Sequence, residues 1–250
     1  ERKSLIKRKS SDTDEEQIIA TNVDLIFIVI GLDGDFSMSR LERYLLLSAQ
    51  SQISAVVVLN KSDVAEEMEQ KLQEVSETAG ETEVMVVSAT TGDGMEKFND
   101  YLTAGKTAVL LGSSGAGKST ITNWLLNEEV QTVQEIREDD SRGRHTTTSR
   151  QLFSLPKGGF IIDTPGIKGF GVVDMDKYEL GDYFPEFFAL KQYCKFNDCL
   201  HLKEPHCAVK EALEEEEISW SRYRSYLQIL EGEEETEHFR TDIWNEEDNE

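Results

Sequence analysis

Gly112-Ser113-Ser114-Gly115-Ala116-Gly117-Lys118-Ser119-Thr120 decides the fold, because an apolar run at 107–111 precedes it and a helical pattern at 118–126 follows. It fits the phosphate-binding pattern G-x-x-x-x-G-K-[ST] in its required strand–loop–helix setting. The glycines let backbone N–H groups turn inward around phosphate oxygens, and the helix N-terminus adds the positive end of its dipole. Lys118 would reach the β- and γ-phosphates, and the Ser119 hydroxyl would ligate Mg²⁺. A plain glycine turn capped by a helix is the competing reading, and the flanking strand and helix argue against it. The motif specifies a nucleoside triphosphate and leaves the base open.

Working outward, residues 23–30 and 53–59 are continuous runs rich in Ile, Val and Leu, as in strands buried on both faces of a parallel sheet. Residues 84–87, 151–155 and 159–162 read as further strands, the last two joined by a turn at Pro156-Lys157-Gly158. Helical spacing covers 39–50, through Leu41, Tyr44, Leu45 and Ser48. A charged, exposed helix is expected at 65–77 and a short one at 95–102. Alternating strands and helices predict an α/β domain on a mostly parallel sheet. Residues 10–16 read as a turn, and 127–150 as a polar stretch too long for an idle connection. Beyond about residue 175 the strand signals stop, and one helix is expected from about 209 to 230.

Asn60-Lys61-Ser62-Asp63 follows the strand at 53–59 directly and forms the expected base-binding turn. Guanine carries N–H donors on its Watson–Crick edge where adenine has a bare ring nitrogen. A carboxylate at Asp63 accepts both guanine bonds and is left unpaired against adenine, a penalty that discriminates well. Asn60 can bond the imidazole side of the base or brace the phosphate loop, and the Lys61 stem can lie over the purine face. The bland alternative is a strand-end turn with an Asx cap. Ser88-Ala89-Thr90 follows the next strand, where GTPases typically offer a backbone N–H to the guanine O6.

Asp163-Thr164-Pro165-Gly166 follows the strand at 159–162 and fits D-x-x-G. Asp163 would hold Mg²⁺ through water. The Gly166 N–H would bond the γ-phosphate, so losing that phosphate frees the segment behind it. Gly143-Arg144-His145-Thr146-Thr147-Thr148 lies between the phosphate loop and Asp163. A threonine here would close over the nucleotide and ligate Mg²⁺; Thr147 is favoured, with Thr146 and Thr148 open. Ile167 stands where many GTPases carry a water-orienting glutamine, so intrinsic hydrolysis is expected to be slow. His145 is the candidate replacement, since imidazole can bond a water at neutral pH.

All three cysteines fall between positions 194 and 207, in the pattern Cys194-x4-Cys199-x-His201-x5-Cys207. Three thiolates and one imidazole suit tetrahedral Zn²⁺ in a closed, structural site without zinc catalysis. His206 is a possible substitute ligand, awkwardly placed beside Cys207. Such a metal can supply folding free energy that a small segment lacks.

Hydrophobic residues make up 38% of the 250-residue chain, enough for a core. No apolar run approaches the ~20 residues of a membrane span, and no signal-peptide pattern follows Glu1-Arg2-Lys3-Ser4. A cytoplasmic monomer without a membrane partner is expected, with a processed or truncated start because no initiator Met is present. The net charge of −23 opposes binding to naked DNA or RNA. It leaves room for a local contact with a ribonucleoprotein through the basic residues of 2–9 and 137–150.

The motif order is distinctive. An ordinary GTPase runs phosphate loop, switch threonine, D-x-x-G, N-K-x-D, S-A; here Asn60 to Asp63 and Ser88 to Thr90 come first, a circular permutation. With the segment 143–148 and the Cys/His cluster, this order resembles the small ribosomal subunit biogenesis GTPases of bacteria, the RsgA type, over about residues 20–230. The resemblance implies an α/β P-loop GTPase domain with permuted motifs, followed by a small, mainly helical zinc-binding domain. It implies GTP hydrolysis to GDP and phosphate, stimulated by the small ribosomal subunit late in its maturation. GTP/GDP, Mg²⁺ and Zn²⁺ are the implied cofactors, and the subunit with its rRNA the implied partner. Residues 1–20 are expected to be the end of a largely absent OB-fold, 21–175 the GTPase domain, and 176–250 the zinc domain with an acidic tail. His145, Lys118 and Thr147 are the expected catalytic residues. A GTP-dependent binding module with negligible turnover is the alternative; an ATP-dependent kinase is disfavoured by the motif from Asn60 to Asp63.

Overall fold

The computed structural model describes residues 2–9, 16–128, 150–164 and 180–230. The chain divides into two units, Glu1–Phe170 and Gly171–Glu250. The first begins with β1 (Leu5–Lys9) antiparallel to β2 (Glu16–Thr21). The Ser4 hydroxyl ties this pair to the main body by donating to the Val23 carbonyl (2.8 Å) and accepting from its N–H (2.7 Å).

Next come β3 (Leu25–Gly31), α1 (Met38–Ser51), β4 (Ala55–Asn60), a 3₁₀ turn (Ser62–Val64), α2 (Met68–Ala79) and β5 (Glu83–Val86). A second 3₁₀ turn (Met95–Lys97) leads into α3 (Phe98–Tyr101), then β6 (Thr107–Gly112), α4 (Lys118–Leu126), β7 (Gln151–Ser154) and β8 (Phe160–Asp163). The last six strands form one sheet in the order β5-β4-β3-β6-β8-β7. Neighbours are parallel except at the edge, where β7 runs antiparallel to β8.

β3 carries only apolar side chains, so both of its faces must be covered. Phe27 and Val29 enter a core with Val56, Val58, Phe98, Leu110 and Ile121. The Phe27 and Phe98 rings meet at 4.8 Å between centroids. Ile26 and Ile28 alternate to the opposite face and are equally buried. On α1, which contacts β3, Leu41, Tyr44 and Leu47 are buried. Each such side chain contributes about 1.5–3 kcal/mol by burial, which makes the sheet a rigid base for its strand ends.

Parallel strands bring those ends to one edge. Asn60 ends β4, Gly112 ends β6 and Asp163 ends β8. The chain steps outward from β3 to β4 and β5, then returns to β6 on the other side of β3. Ligands of α/β sheets bind in the crevice outside the strand ends at such a reversal.

The second unit has a 3₁₀ turn (Leu180–Tyr183), α5 (Pro185–Lys191), α6 (Ala208–Glu214) and α7 (Trp220–Leu230), with no strand among its described residues. The sequence pattern did not reveal α5, a seven-residue helix started by Pro185 at its first turn. The single helix expected at 209–230 is broken in two. Glu216 takes a left-handed conformation, φ 60°, at the end of α6. Its N–H donates to the Leu213 carbonyl (3.3 Å) and the Glu217 N–H to the Ala212 carbonyl (2.9 Å), a Schellman closure. Consecutive glutamates at the negative end of a helix dipole favour that stop. Among the described residues no helix is long and apolar enough to cross a membrane.

Candidate functional site

The phosphate loop links the end of β6 to the start of α4. Gly117 has φ +96°, and a Cβ there would collide with the Asn60 side-chain amide. Only glycine therefore permits the loop and Asn60 to meet. Ser114 and Gly115 form the exposed tip, Ala116 is buried, and Thr120 is half-buried in α4. The Lys118 ammonium is buried and donates to the carbonyls of Gly112 (3.0 Å) and Ser113 (2.6 Å). Burial pushes its pKa down to about 8, while Asp163 and Asp35 act to raise it. A desolvated ammonium held by carbonyls gains strongly from an incoming anion.

The Ser119 hydroxyl lies 3.4 Å from Asp163 Oδ2. Burial raises the Asp163 pKa, opposed by Lys118, the Ser119 hydroxyl and the Thr164 N–H. Asp163 Oδ1 is buried without a hydrogen-bond partner among the described residues. A buried, unpaired carboxylate oxygen is costly, and a divalent cation beside Ser119 would relieve the cost. These residues fit Mg²⁺.

Asn60, at the end of β4, joins the halves of the site. Its Nδ2 donates to the Ala116 carbonyl (2.9 Å) and its Oδ1 accepts from the Ala89 N–H (3.0 Å). Of the two roles expected for Asn60, the geometry realises the brace. Asp63 Oδ1 accepts from the Ser88 hydroxyl (2.6 Å), and the Ser62 N–H donates to the Val87 carbonyl (3.2 Å). Thr90 is exposed at the rim. Lys61 has φ +68° and pairs through its ammonium with Asp33 Oδ2 at 2.5 Å. Residues far apart in sequence thus form one continuous cradle.

Two cradle residues escaped the motif search. Asp33 and Asp35 lie in the connection from β3 to α1, where Asp35 accepts from the Ser113 hydroxyl and from Arg40 Nη1 (2.6 Å). An acidic, glycine-containing turn at the end of a central strand is the signal that could have found them. Thr146, Thr147, Thr148, His145, Gly166 and Ile167 lie outside the described residues, as does the acidic tail at 231–250.

In the second unit Cys194, Cys199, His201 and Cys207 bring their ligand atoms within 4.8 Å of one another. His201 Nδ1 lies 3.3 Å from Cys207 Sγ and 3.7 Å from Cys194 Sγ, with the two sulfurs 3.9 Å apart. Tetrahedral zinc with Zn–S bonds of about 2.3 Å separates its sulfurs by about 3.8 Å. Burial holds the imidazole neutral, its pKa near 4, the state a metal requires. Burial and the neighbouring thiols raise the Cys207 pKa, and burial also raises that of Cys199. A cation would reverse those shifts, so the donor set fits zinc. His206, the possible substitute, is not part of the cluster.

The backbone around the cluster is anchored by side chains. The Tyr223 hydroxyl donates to the His201 carbonyl (2.5 Å) and the Tyr226 hydroxyl to the Leu200 carbonyl (2.8 Å). The Glu204 carboxylate accepts the N–H groups of Leu200 (3.0 Å) and Leu202 (2.8 Å).

The RsgA GTPase family profile matches residues 1–173. The small ribosomal subunit biogenesis GTPase RsgA of Flavobacterium johnsoniae is 43% identical over 98% of this chain and 76% of its own length. Its counterpart in Christiangramia forsetii is 46% identical over 97% and 78%. The crystal structure of YjeQ from Thermotoga maritima matches with a TM-score of 0.66 at 32% identity, over 92% of this chain and 75% of its own. YloQ, a circularly permuted GTPase, matches with a TM-score of 0.61 at 27% identity, over 90% and 77%.

Proposed function

The chain belongs to the RsgA GTPase family, and from that premise we propose that it hydrolyses GTP at the strand-end cradle in late maturation of the small ribosomal subunit. The carrying observation is Asn60, whose side chain bonds both the phosphate loop and the Ser88-Ala89 turn. That bridge supports a single nucleotide site despite the permuted motif order.

In this reading Asp63 accepts the guanine N–H donors. Lys118 leaves its two carbonyls to hold the β- and γ-phosphates, helped by the N–H groups of the phosphate loop. Ser119, Thr147 and, through water, Asp163 hold Mg²⁺, which supplies charge neutralisation when bound. Gly166 bonds the γ-phosphate, and His145 orients the attacking water. The products are GDP and phosphate. Cys194, Cys199, His201 and Cys207 hold a structural Zn²⁺. We place the GTPase domain at 21–175 and the zinc domain at 176–250, in a cytoplasmic monomer that contacts the subunit's rRNA.

Ile167 favours a second reading, a GTP-dependent binding module with negligible turnover, because isoleucine cannot orient water. Phosphate release titrated with purified small subunits separates the two. We expect saturable stimulation that His145→Ala removes while GTP affinity stays nearly unchanged. GTP binding without phosphate release at any subunit concentration would favour the binding module.

A further inference from the structure

We propose that Asp33 is a positioning residue of the guanine site, which fixes Lys61 over the purine-binding position by pairing with its ammonium. This rests on the reading that Asn60 to Asp63 bind guanine. The pair spans 28 residues of sequence at 2.5 Å, with side chains only 19% and 23% exposed. It is a charge-assisted hydrogen bond with much of its surroundings withdrawn from water, unlike the exposed ion pairs that contribute little.

Asp33 is presented by a rigid connection. The Leu32 N–H donates to the Asn60 carbonyl (2.9 Å), and the Leu32 carbonyl accepts from Lys71 Nζ (2.9 Å). The Phe36 N–H closes a turn on the Asp33 carbonyl (3.1 Å). Two residues on, Asp35 is gripped by Arg40 and by the Ser113 hydroxyl of the phosphate loop. The carboxylate that holds Lys61 is therefore referenced to the phosphate loop itself.

Topology gives the same answer. This connection leaves β3 beside β6, at the reversal in strand order where α/β sheets place ligands. The left-handed backbone of Lys61 is unusual for a residue with a side chain, and such conformations persist where neighbours over-determine them. With its head tied, the lysine's methylene stem offers a fixed apolar surface to a flat ring. Untied, the ammonium would be free to swing toward phosphate or water. Asp33 thus couples the base-binding turn to the phosphate loop.

The test is a double-mutant cycle on the full chain, read as affinity for fluorescent GDP and a non-hydrolysable GTP analogue. Asp33→Asn should weaken both ligands by the same factor, roughly 10-fold, as expected for a charge-assisted hydrogen bond. In a Lys61→Met background Asp33→Asn should have no further effect, because the methionine keeps a stem but has no ammonium to hold. The nucleotide-free melting midpoint should fall by no more than about 2–4 °C on Asp33→Asn, the shift expected from losing one such bond. Unchanged affinity, additive effects in the cycle, or a large fall in the nucleotide-free midpoint would each overturn the proposal. The wild type's preference for GTP over ATP tests the underlying guanine reading separately, and equal binding of the two would overturn both.

Discussion

The nucleotide cradle and the metal cluster each hold a few side chains in place, by opposite means. Asn60 and Asp163 end β4 and β8, and Lys118 follows β6 across the phosphate loop, so all three are carried by a sheet whose central strands are buried. The sheet positions them, and the ligand finds a site already built. Cys194, Cys199, His201 and Cys207 come from turns and one helix cap. Tyrosine hydroxyls and the Glu204 carboxylate hold the local backbone there. A cation would complete the cluster, since burial disfavours the thiolates of Cys199 and Cys207 without one. One site is set by the strand ends of a sheet; the other is held by side chains resting on the buried aromatics Phe187, Tyr223 and Tyr226.

Metal removal should expose that difference most sharply. Chelation should abolish amide-exchange protection across residues 180–230, since structural zinc supplies about 10–16 kcal/mol of apparent folding free energy. GTP affinity in the first unit should change less than about 3-fold. Retained protection at 180–230 would show that the buried aromatic and aliphatic residues of the second unit suffice without the metal, and the contrast would fail.

A smaller effect probes the opposite arm. Gly117→Ala places a Cβ against Asn60 at a φ of +96°. GTP affinity should fall by about 100-fold, since loop and brace cannot both keep their positions. Bound zinc, measured by metal analysis, should be unchanged.

The smallest effect concerns charge. In the free protein the Lys118 pKa is lowered to about 8 by burial. This penalty on stability is full below pH 8 and fades as pH rises toward the ordinary lysine value of about 10.4. Bound phosphates favour the charged ammonium and raise that pKa. Nucleotide binding at pH 8.5 should therefore take up a fraction of a proton, and almost none at pH 6.5. Calorimetry in buffers of different ionisation enthalpy reads this directly; proton release at pH 8.5 would refute the assignment.

These contrasts also explain what the sequence made legible. β3, β4 and β6 were readable because strands buried on both faces must be apolar throughout, and α4 matches its expected span of 118–126. β2 was not, because its short apolar stretch borders charged residues and gains strand character by pairing with β1. α5 and the break between α6 and α7 depend on helix-end geometry, which periodicity does not report. In the cradle, the motif residues announced themselves by type and spacing. Asp33 and Asp35 did not, because an acidic turn acquires meaning only when the sheet order places it beside the phosphate loop. Cysteine spacing identified the metal cluster, but Tyr223 and Tyr226, whose hydroxyls anchor its backbone, read as ordinary residues of an amphipathic helix.

The central claim is that a turn preceding the phosphate loop in sequence reads guanine. Asp63→Asn tests it most directly, because the amide offers a donor where the carboxylate accepted. Nucleotide titrations should show GTP affinity falling by roughly 100-fold or more, while xanthosine triphosphate, whose C2 carbonyl complements that donor, becomes the better ligand. An Asp63→Asn chain that still prefers GTP would contradict the account.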